Sequence, residues 1–292
     1  VFVQTNTVRA TRDYFKNRLR TNFSENEIKL MFKELALVRL NLDRNDYLNC
    51  DNQLLSESDL LYFRSVVNRL LADEPFQYIL GETLFYGLVI RCDSRALIPR
   101  PETEELVDWI TEFYTQTDPI KLVDIGTGSG CIALALKSYF SKSEVIAVDI
   151  SVDALELAKE NATLLASELE FIQMDALKSD LQLEAKLQNS DIWVSNPPYI
   201  PLNDKVDMGR NVLDFEPHLA LFVGNDDPLI FYREIGKKAF RNLKVGGLLF
   251  FEIHEEMGDN TADLLHEIGF VSVEIKVDLQ GKKRMVKAQK QA

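Results

Sequence analysis

Val123-Asp124-Ile125-Gly126-Thr127-Gly128-Ser129-Gly130 decides how the rest of this chain is read. Leu122–Ile125 is a short apolar run of strand length. Three glycines at alternate positions follow, and a helical pattern begins at Gly130 and runs to about residue 140. A strand, a tight glycine turn and a helix start together make a nucleotide-type ligand site, because glycine lets the backbone approach a ligand and the helix start offers free N–H groups. The dinucleotide fingerprint G-x-G-x-x-G/A fails, since Cys131 stands where its last small residue belongs. A Walker loop is excluded because no Gly-Lys-Ser/Thr follows. The spacing here is D-x-G-x-G-x-G.

Downstream the pattern alternates. Strands are predicted at 145–149, 171–174, 191–195 and 248–253, and helices at 151–166, 228–243 and 257–268, with a closing strand pair near 270–288. Strands alternating with helices predict a parallel sheet covered on both faces. Asp149 ends the second strand, 19 residues beyond Gly130, where an acid accepts both hydrogen bonds of a ribose diol or caps the helix that follows. Asp175 ends the third strand in the same way, beside the position of an adenine.

Upstream the character changes. Residues 8–72 carry leucines among Lys, Glu and Arg with few glycines and no proline before Pro75, which predicts four or five short helices. Ser24-Glu25-Asn26-Glu27 reads as one helix start. Residues 82–98 read as a short β-hairpin, and Pro99 and Pro101 hold the chain extended before a helix from about Glu102 to Tyr114. The expected division is a helical domain at 1–74, a hairpin linker at 75–98 and an α/β domain at 99–292.

Composition narrows the function. The chain has 292 residues and a net charge of −13. Residues 1–72 hold 11 Lys/Arg against 9 Asp/Glu (+2), and the remainder 22 against 37 (−15). An acidic body disfavours stable nucleic-acid binding. No apolar run approaches the ~20 residues of a membrane span, and no secretory signal is seen. Cys50, Cys92 and Cys131 are too widely spaced for a disulfide framework or a zinc site, which fits a reducing cytoplasm. His218, His254 and His266 share no metal-ligand spacing, and no metal is expected. Trp193 reads as core.

Ser195-Asn196-Pro197-Pro198-Tyr199-Ile200-Pro201 closes the fourth strand. A planar amide or amino nitrogen is a poor nucleophile because its lone pair is delocalised. The Asn196 side-chain oxygen and the Pro197 carbonyl can each accept one N–H of such a group, turning the lone pair toward an incoming methyl. Both oxygens also stabilise the positive charge that grows on nitrogen. Tyr199 offers a flat face to the amide.

Taken together, these motifs resemble the S-adenosyl-L-methionine site of the class I methyltransferases, a Rossmann-like α/β fold. The resemblance implies that Asp124, Gly126, Thr127, Gly128, Ser129 and Gly130 wrap the methionine moiety, Asp149 the ribose, and Asp175 and Ala176 the adenine. Asn196 would serve both cofactor and substrate, with S-adenosyl-L-homocysteine as product. The N-P-P-Y motif, Asn196 to Tyr199, occurs in adenine-N6 nucleic-acid methyltransferases and in the peptide chain release factor N5-glutamine methyltransferases (the PrmC/HemK family). The segments at 76–107, 214–235, 243–253 and 269–285 resemble the second group, as does the small all-α N-terminal domain. Two stretches depart from its pattern: Val223–Leu229 replaces a glycine-rich run, and Glu252-Ile253-His254-Glu255-Glu256-Met257 replaces E-I-G-x-x-Q. The resemblance implies methyl transfer to the glutamine of a Gly-Gly-Gln motif in class I release factors, with catalytic roles for Asn196, Pro197 and Tyr199. Pro198 joins them in binding substrate, the helical domain helps dock the protein substrate, and the enzyme is a cytoplasmic monomer. Arg100 and Glu102 either close over the cofactor or form an ordinary salt-bridged helix start.

Overall fold

The computed structural model describes residues 3–291, with the side chain of Asp207 outside that description. The chain forms two compact units. One runs to Gly81 and includes Arg210–Phe215; the other comprises Glu82–Gly209 and everything from Glu216 onward.

The first unit is helical: Val8–Leu19, Glu25–Arg39, Arg44–Asn49, Glu57–Leu71 and Phe76–Leu80. Ser24 caps the second helix, and the Glu27 side chain returns a bond to the Ser24 N–H; Ser56 and Asp59 repeat the device. Ile28, Met31, Phe32 and Leu35 fall three and four residues apart and are buried on one helix face. Phe32 stacks on Phe63 at 5.1 Å and meets the edge of Phe15 at 5.5 Å. The last helix ends at Gly81, whose φ of +85° suits glycine.

The second unit opens with an antiparallel hairpin, Glu82–Phe85 against Leu88–Arg91. Tyr86 and Gly87 turn it, both at positive φ as a tight two-residue turn requires. A seven-stranded sheet follows. We number its strands β1 (Lys121–Ile125), β2 (Glu144–Asp149), β3 (Glu170–Gln173), β4 (Ser190–Ser195), β5 (Leu243–Glu252), β6 (Phe270–Val277) and β7 (Lys283–Lys290). Their spatial order is β6-β7-β5-β4-β1-β2-β3. β1 to β5 run parallel, but β7 is antiparallel to both β5 and β6. The sheet is therefore mixed rather than parallel throughout. The cause is the short β6–β7 connection, which makes a hairpin and is too short for a crossover.

Successive residues of each central strand enter opposite faces. Leu122, Ile192, Val194 and Phe250 join a core beneath the helices Pro101–Thr111 and Cys131–Tyr139. Val123, Trp193, Leu249 and Phe251 join the other, beneath Ile230–Asn242 and Gly258–Ile268. Trp193 is fully buried and its indole N–H donates to Ser190 Oγ at 2.6 Å, as a core tryptophan should. β5 begins five residues earlier than its apolar run suggests. Ser190 pairs with Leu243 and Ile192 with Leu248, and the intervening Lys244–Gly246 bulge out, exposed. Among elements the sequence did not signal are a helix at Leu181–Lys186, short helical turns between 202 and 221, and a two-residue parallel pair, Ile200–Pro201 with Phe222–Val223.

Candidate active site

The strand order reverses between β1 and β4, whose following segments leave toward opposite faces; ligands of open α/β sheets bind at such points. There a cavity of about 250 Å³ opens at the carboxyl ends of β1 to β4. Gly126–Ser129 line it from β1, Asp149 from β2, Asp175 and Ala176 from β3, and Ser195–Pro198 from β4.

The glycine loop is built to stay open. Gly126, Gly128 and Gly130 all have positive φ. The N–H groups of Gly126 and Thr127 both donate to the Val148 carbonyl (2.8 and 3.0 Å), which folds the loop back over β2. A Cβ on Gly126 would meet the backbone oxygen of Asn196 at 3.9 Å, so the first glycine faces the end of β4. Gly130 sits against the neighbouring helix Val152–Leu164, where a Cβ would lie 3.2 Å from that of Ala158. Asp149 accepts from Gly128 N–H and Ser151 N–H, both at 2.9 Å, and burial raises its pKa. It thus ties the loop and starts the next helix while still facing the cavity.

Two polar groups around this loop lack full hydrogen bonding. Ser129 Oγ is buried at the cavity wall with no nitrogen or oxygen partner, and only the weakly donating Cys131 thiol beside it. Asp124 is fully buried behind the loop. One of its oxygens accepts from Thr127 Oγ1 at 2.7 Å and the other has no hydrogen-bond partner. Burial pushes its carboxyl up to about 7; the Thr127 bond opposes this and the charge of Asp149 adds to it. An orphaned hydroxyl, a strand-end carboxylate and an open glycine loop around one cavity fit a cofactor that carries a polar, cationic amino-acid end and a ribose.

Asn196 leaves the end of β4 and lines the cavity. Its amide Nδ2 donates to Thr103 Oγ1 at 3.4 Å. Thr103, in the first turn of Pro101–Thr111, donates in turn to Glu252 Oε2 at 2.6 Å. The Tyr199 hydroxyl donates to the other oxygen, Glu252 Oε1, at 3.1 Å. Glu252 ends β5 and is 1% exposed, and burial raises its pKa against the two hydroxyl bonds. Burial and the Glu252 charge also push the Tyr199 phenol upward, so it remains a donor.

The lid segment is latched. Arg100 lines the cavity and donates to Glu216 Oε1 at 2.5 Å, while Glu216 Oε2 accepts from Ile98 N–H at 3.2 Å. Glu102 turns elsewhere, accepting from Gln280 at 3.3 Å. Arg100 therefore both closes on the cavity and makes an ion pair, whereas Glu102 does neither.

Of the residues anticipated at the site, Gly126, Thr127, Gly128, Ser129, Asp149, Asp175, Ala176, Asn196, Pro197 and Pro198 reach the cavity wall. Asp124, Gly130 and Tyr199 stand behind that wall and hold it. Asp175 also accepts from Leu177 N–H and pairs with Lys178. Thr103, Glu252, Glu216 and Asn161 were not anticipated. Asn161 is fully buried and binds Arg91 N–H (2.8 Å), Arg91 C=O (3.0 Å) and Ser129 C=O (2.9 Å), stitching the glycine loop to the hairpin edge. Glu252 did carry a signal, because it is an acid ending a strand, as Asp149 is. Among the described residues, no group of His, Cys, Asp and Glu is arranged to hold a metal ion.

Comparison with known proteins follows this geometry. Residues 116–288 match the family described as Methyltransferase domain, and residues 11–81 the PrmC N-terminal domain. The chain is 41% identical over 279 residues to the release factor glutamine methyltransferase of Flavobacterium psychrophilum, covering 94% of this chain and 96% of that one. It is 36% identical to that of Bacteroides thetaiotaomicron over 275 residues, covering 94% and 97%. A crystal structure of a methyltransferase from Pyrococcus furiosus shares the fold at 18% identity, with a TM-score of 0.52, covering 78% of this chain and 97% of that one.

Proposed function

The chain belongs to the release factor glutamine methyltransferases, and from that premise we propose that it methylates the side-chain nitrogen (N5) of the glutamine in the Gly-Gly-Gln motif of class I peptide chain release factors. The methyl donor is S-adenosyl-L-methionine, which supplies an electrophilic methyl on a cationic sulfur when bound. The observation that carries the reading is Asn196 at the end of β4, lining the same cavity as the glycine loop, with its Nδ2 already engaged.

The chain's own residues perform three tasks. Gly126 to Ser129 and Asp149 hold the donor, with Ser129 Oγ supplying a hydroxyl that has no nitrogen or oxygen partner of its own. Asn196 Oδ1 and the Pro197 carbonyl accept the two N–H bonds of the glutamine amide. That turns its lone pair out of conjugation and toward the methyl group. As the N–C bond forms and the C–S bond breaks, positive charge grows on nitrogen beside two carbonyl oxygens fixed in advance. The methylated nitrogen then loses one proton to water and the amide regains its planarity. No base has to act first.

Tyr199, hydrogen-bonded to Glu252 and set behind Asn196, braces the clamp on this reading. The helical unit docks the protein substrate, with its mildly basic balance as support. The acidic remainder argues against an adenine-N6 reaction on DNA or RNA, and three buried free cysteines suit a cytoplasmic monomer. Among the described residues no helix is long and apolar enough to cross a membrane. The test is transfer of labelled methyl to a purified release factor, with the product mapped to the residue. Asn196→Ala should lower kcat by about 100-fold or more, the scale of losing one oriented polar contact to the reacting group, and leave cofactor affinity nearly unchanged. Label elsewhere than the Gly-Gly-Gln glutamine, or an unaltered Asn196→Ala rate, refutes the assignment.

A further inference from the structure

We propose that Thr103 and Glu252 are positioning residues that decide which end of the Asn196 carboxamide faces the substrate, and so commit the site to hydrogen-bond donors. The inference rests on the role given to Asn196 above and extends it to two residues that touch neither substrate nor methyl donor.

The two ends of an asparagine amide have nearly the same shape, so packing alone cannot choose between them. Hydrogen bonding must choose. Glu252 as a carboxylate only accepts. Each of its oxygens takes one hydroxyl, Thr103 at 2.6 Å and Tyr199 at 3.1 Å. A threonine hydroxyl has a single proton, and at 2.6 Å that proton belongs to Glu252. What Thr103 presents to Asn196, 3.4 Å away, is therefore a lone pair, and the atom that meets it must be the NH₂. Asn196 Oδ1 is left as the end available to the substrate. The flipped amide would set Oδ1 against the Thr103 lone pair and offer an N–H to the glutamine N–H, two repulsive contacts in place of two attractive ones.

Both controlling groups sit on rigid elements. Thr103 is 2% exposed in the first turn of a helix, and Glu252 is the last residue of β5, with its own carbonyl accepting from Tyr232 at 3.4 Å. Glu252 is held by hydroxyls. The nearby cation, Arg284, pairs with Asp278 and Glu255 and reaches Glu252 only through its charge. A lysine or arginine bonded directly to Glu252 would occupy the oxygen that Thr103 needs. The order of donors, hydroxyl to carboxylate and amide to hydroxyl, is the chemical content of this arrangement.

The experiment uses the full chain with labelled donor and a purified release factor, and compares Thr103→Val, Thr103→Ser and Glu252→Gln. Thr103→Val keeps the shape but removes the hydroxyl. Its kcat should fall at least about tenfold, with the release-factor KM and donor Kd within about twofold, because the lost interaction acts on the reacting amide alone. Thr103→Ser should recover kcat to within about threefold. Glu252→Gln turns one N–H toward a hydroxyl and abolishes the forced donor order, so its kcat should fall at least about threefold. A merely structural role would lower thermal stability and donor affinity together and would not be rescued by serine. Thr103→Val with unchanged kcat, or Thr103→Ser as impaired as Thr103→Val, overturns the inference. If Thr103→Val fails to fold, Glu252→Gln decides alone, and an unchanged kcat there overturns it. Loss in Asn196→Ala without loss in these variants defeats this inference only, whereas a wild-type enzyme that leaves the glutamine unlabelled defeats the assigned function.

Discussion

Asp124→Asn should flatten the pH dependence of stability in the methyltransferase unit. Asp124 is fully buried, with one oxygen bonded to Thr127 and the other without a partner, and burial places its carboxyl at about 7 against an ordinary value of 3.8. A folded pKa above the unfolded one means the fold holds a proton that the unfolded chain has released. The associated stability is fully present below the unfolded value and is lost as pH rises through about 7. The interval corresponds to on the order of 4 kcal/mol, an upper figure because water reaching an ionised group screens it. Asp149 and Glu252 are raised by burial too and act in the same direction. Acids lowered by ion pairs, such as Asp93 beside Arg95, have completed their contribution below this window. Asparagine keeps the shape and still accepts from Thr127. Urea unfolding at pH 5, 6, 7 and 8 without methyl donor is a direct assay. The chain's two tryptophans, Trp109 and Trp193, both lie in the methyltransferase unit, so fluorescence reports that unit alone. The wild type should lose stability across the range, and Asp124→Asn should lose several kcal/mol less. Parallel curves for the two proteins would refute the reasoning.

Two further substitutions test how the glycine loop is held. Gly130→Ala meets both a φ of +81° and a contact at 3.2 Å with Ala158. It should destabilise by about 2 kcal/mol or more in urea unfolding and weaken donor binding in calorimetry, whereas an alanine variant that binds normally would show the loop to be less constrained than described. Asn161→Ala leaves the Arg91 N–H and C=O and the Ser129 C=O without their buried partner. A loss of about 2–4 kcal/mol and weaker donor binding are expected, read by the same two measurements.

The sequence revealed most about the fold where burial on both sheet faces forces an apolar run. β1, β2 and β4 were legible for that reason. β5 was misread at its start because Lys244–Gly246 bulge out of register and mask the pairing of Leu243 with Ser190. The reversed direction of β7 was hidden because hydrophobic pattern carries no information on strand sense. At the site, residues contributed by one loop were legible, since Gly126 to Gly130 and Asn196 to Tyr199 are contiguous motifs. What was illegible depends on chain segments distant in sequence: Thr103 with Glu252, 149 residues apart, and Arg100 with Glu216, 116 apart. Tyr199 shows the limit of reading a motif alone. Its aromatic face suggested a platform in the cavity, but its hydroxyl is spent on Glu252, which places the ring behind Asn196.

The carboxyl groups around the cavity also bear on how the enzyme distinguishes donor from product. Asp149 lines the site and Asp124 lies directly behind it, both held above the ordinary carboxylate range by burial. Neither makes a salt bridge with Lys or Arg among the described residues; their bonds come from hydroxyl and backbone N–H donors. S-adenosyl-L-methionine carries a positive charge on sulfur that S-adenosyl-L-homocysteine lacks. Binding the cation favours the ionised carboxylates, lowers their pKa and releases protons; binding the neutral product does so less. By linkage, the affinity ratio of donor to product must then rise with pH between 5 and 8, by about tenfold for each pKa step of one that the cation imposes. Titration calorimetry in two buffers of different ionisation enthalpy measures both the ratio and the protons released. A rising ratio in the wild type that flattens in Asp124→Asn is the expected result. A ratio independent of pH would mean that the buried acids serve only to hold the glycine loop, and that discrimination between donor and product comes from contacts to the methyl group itself.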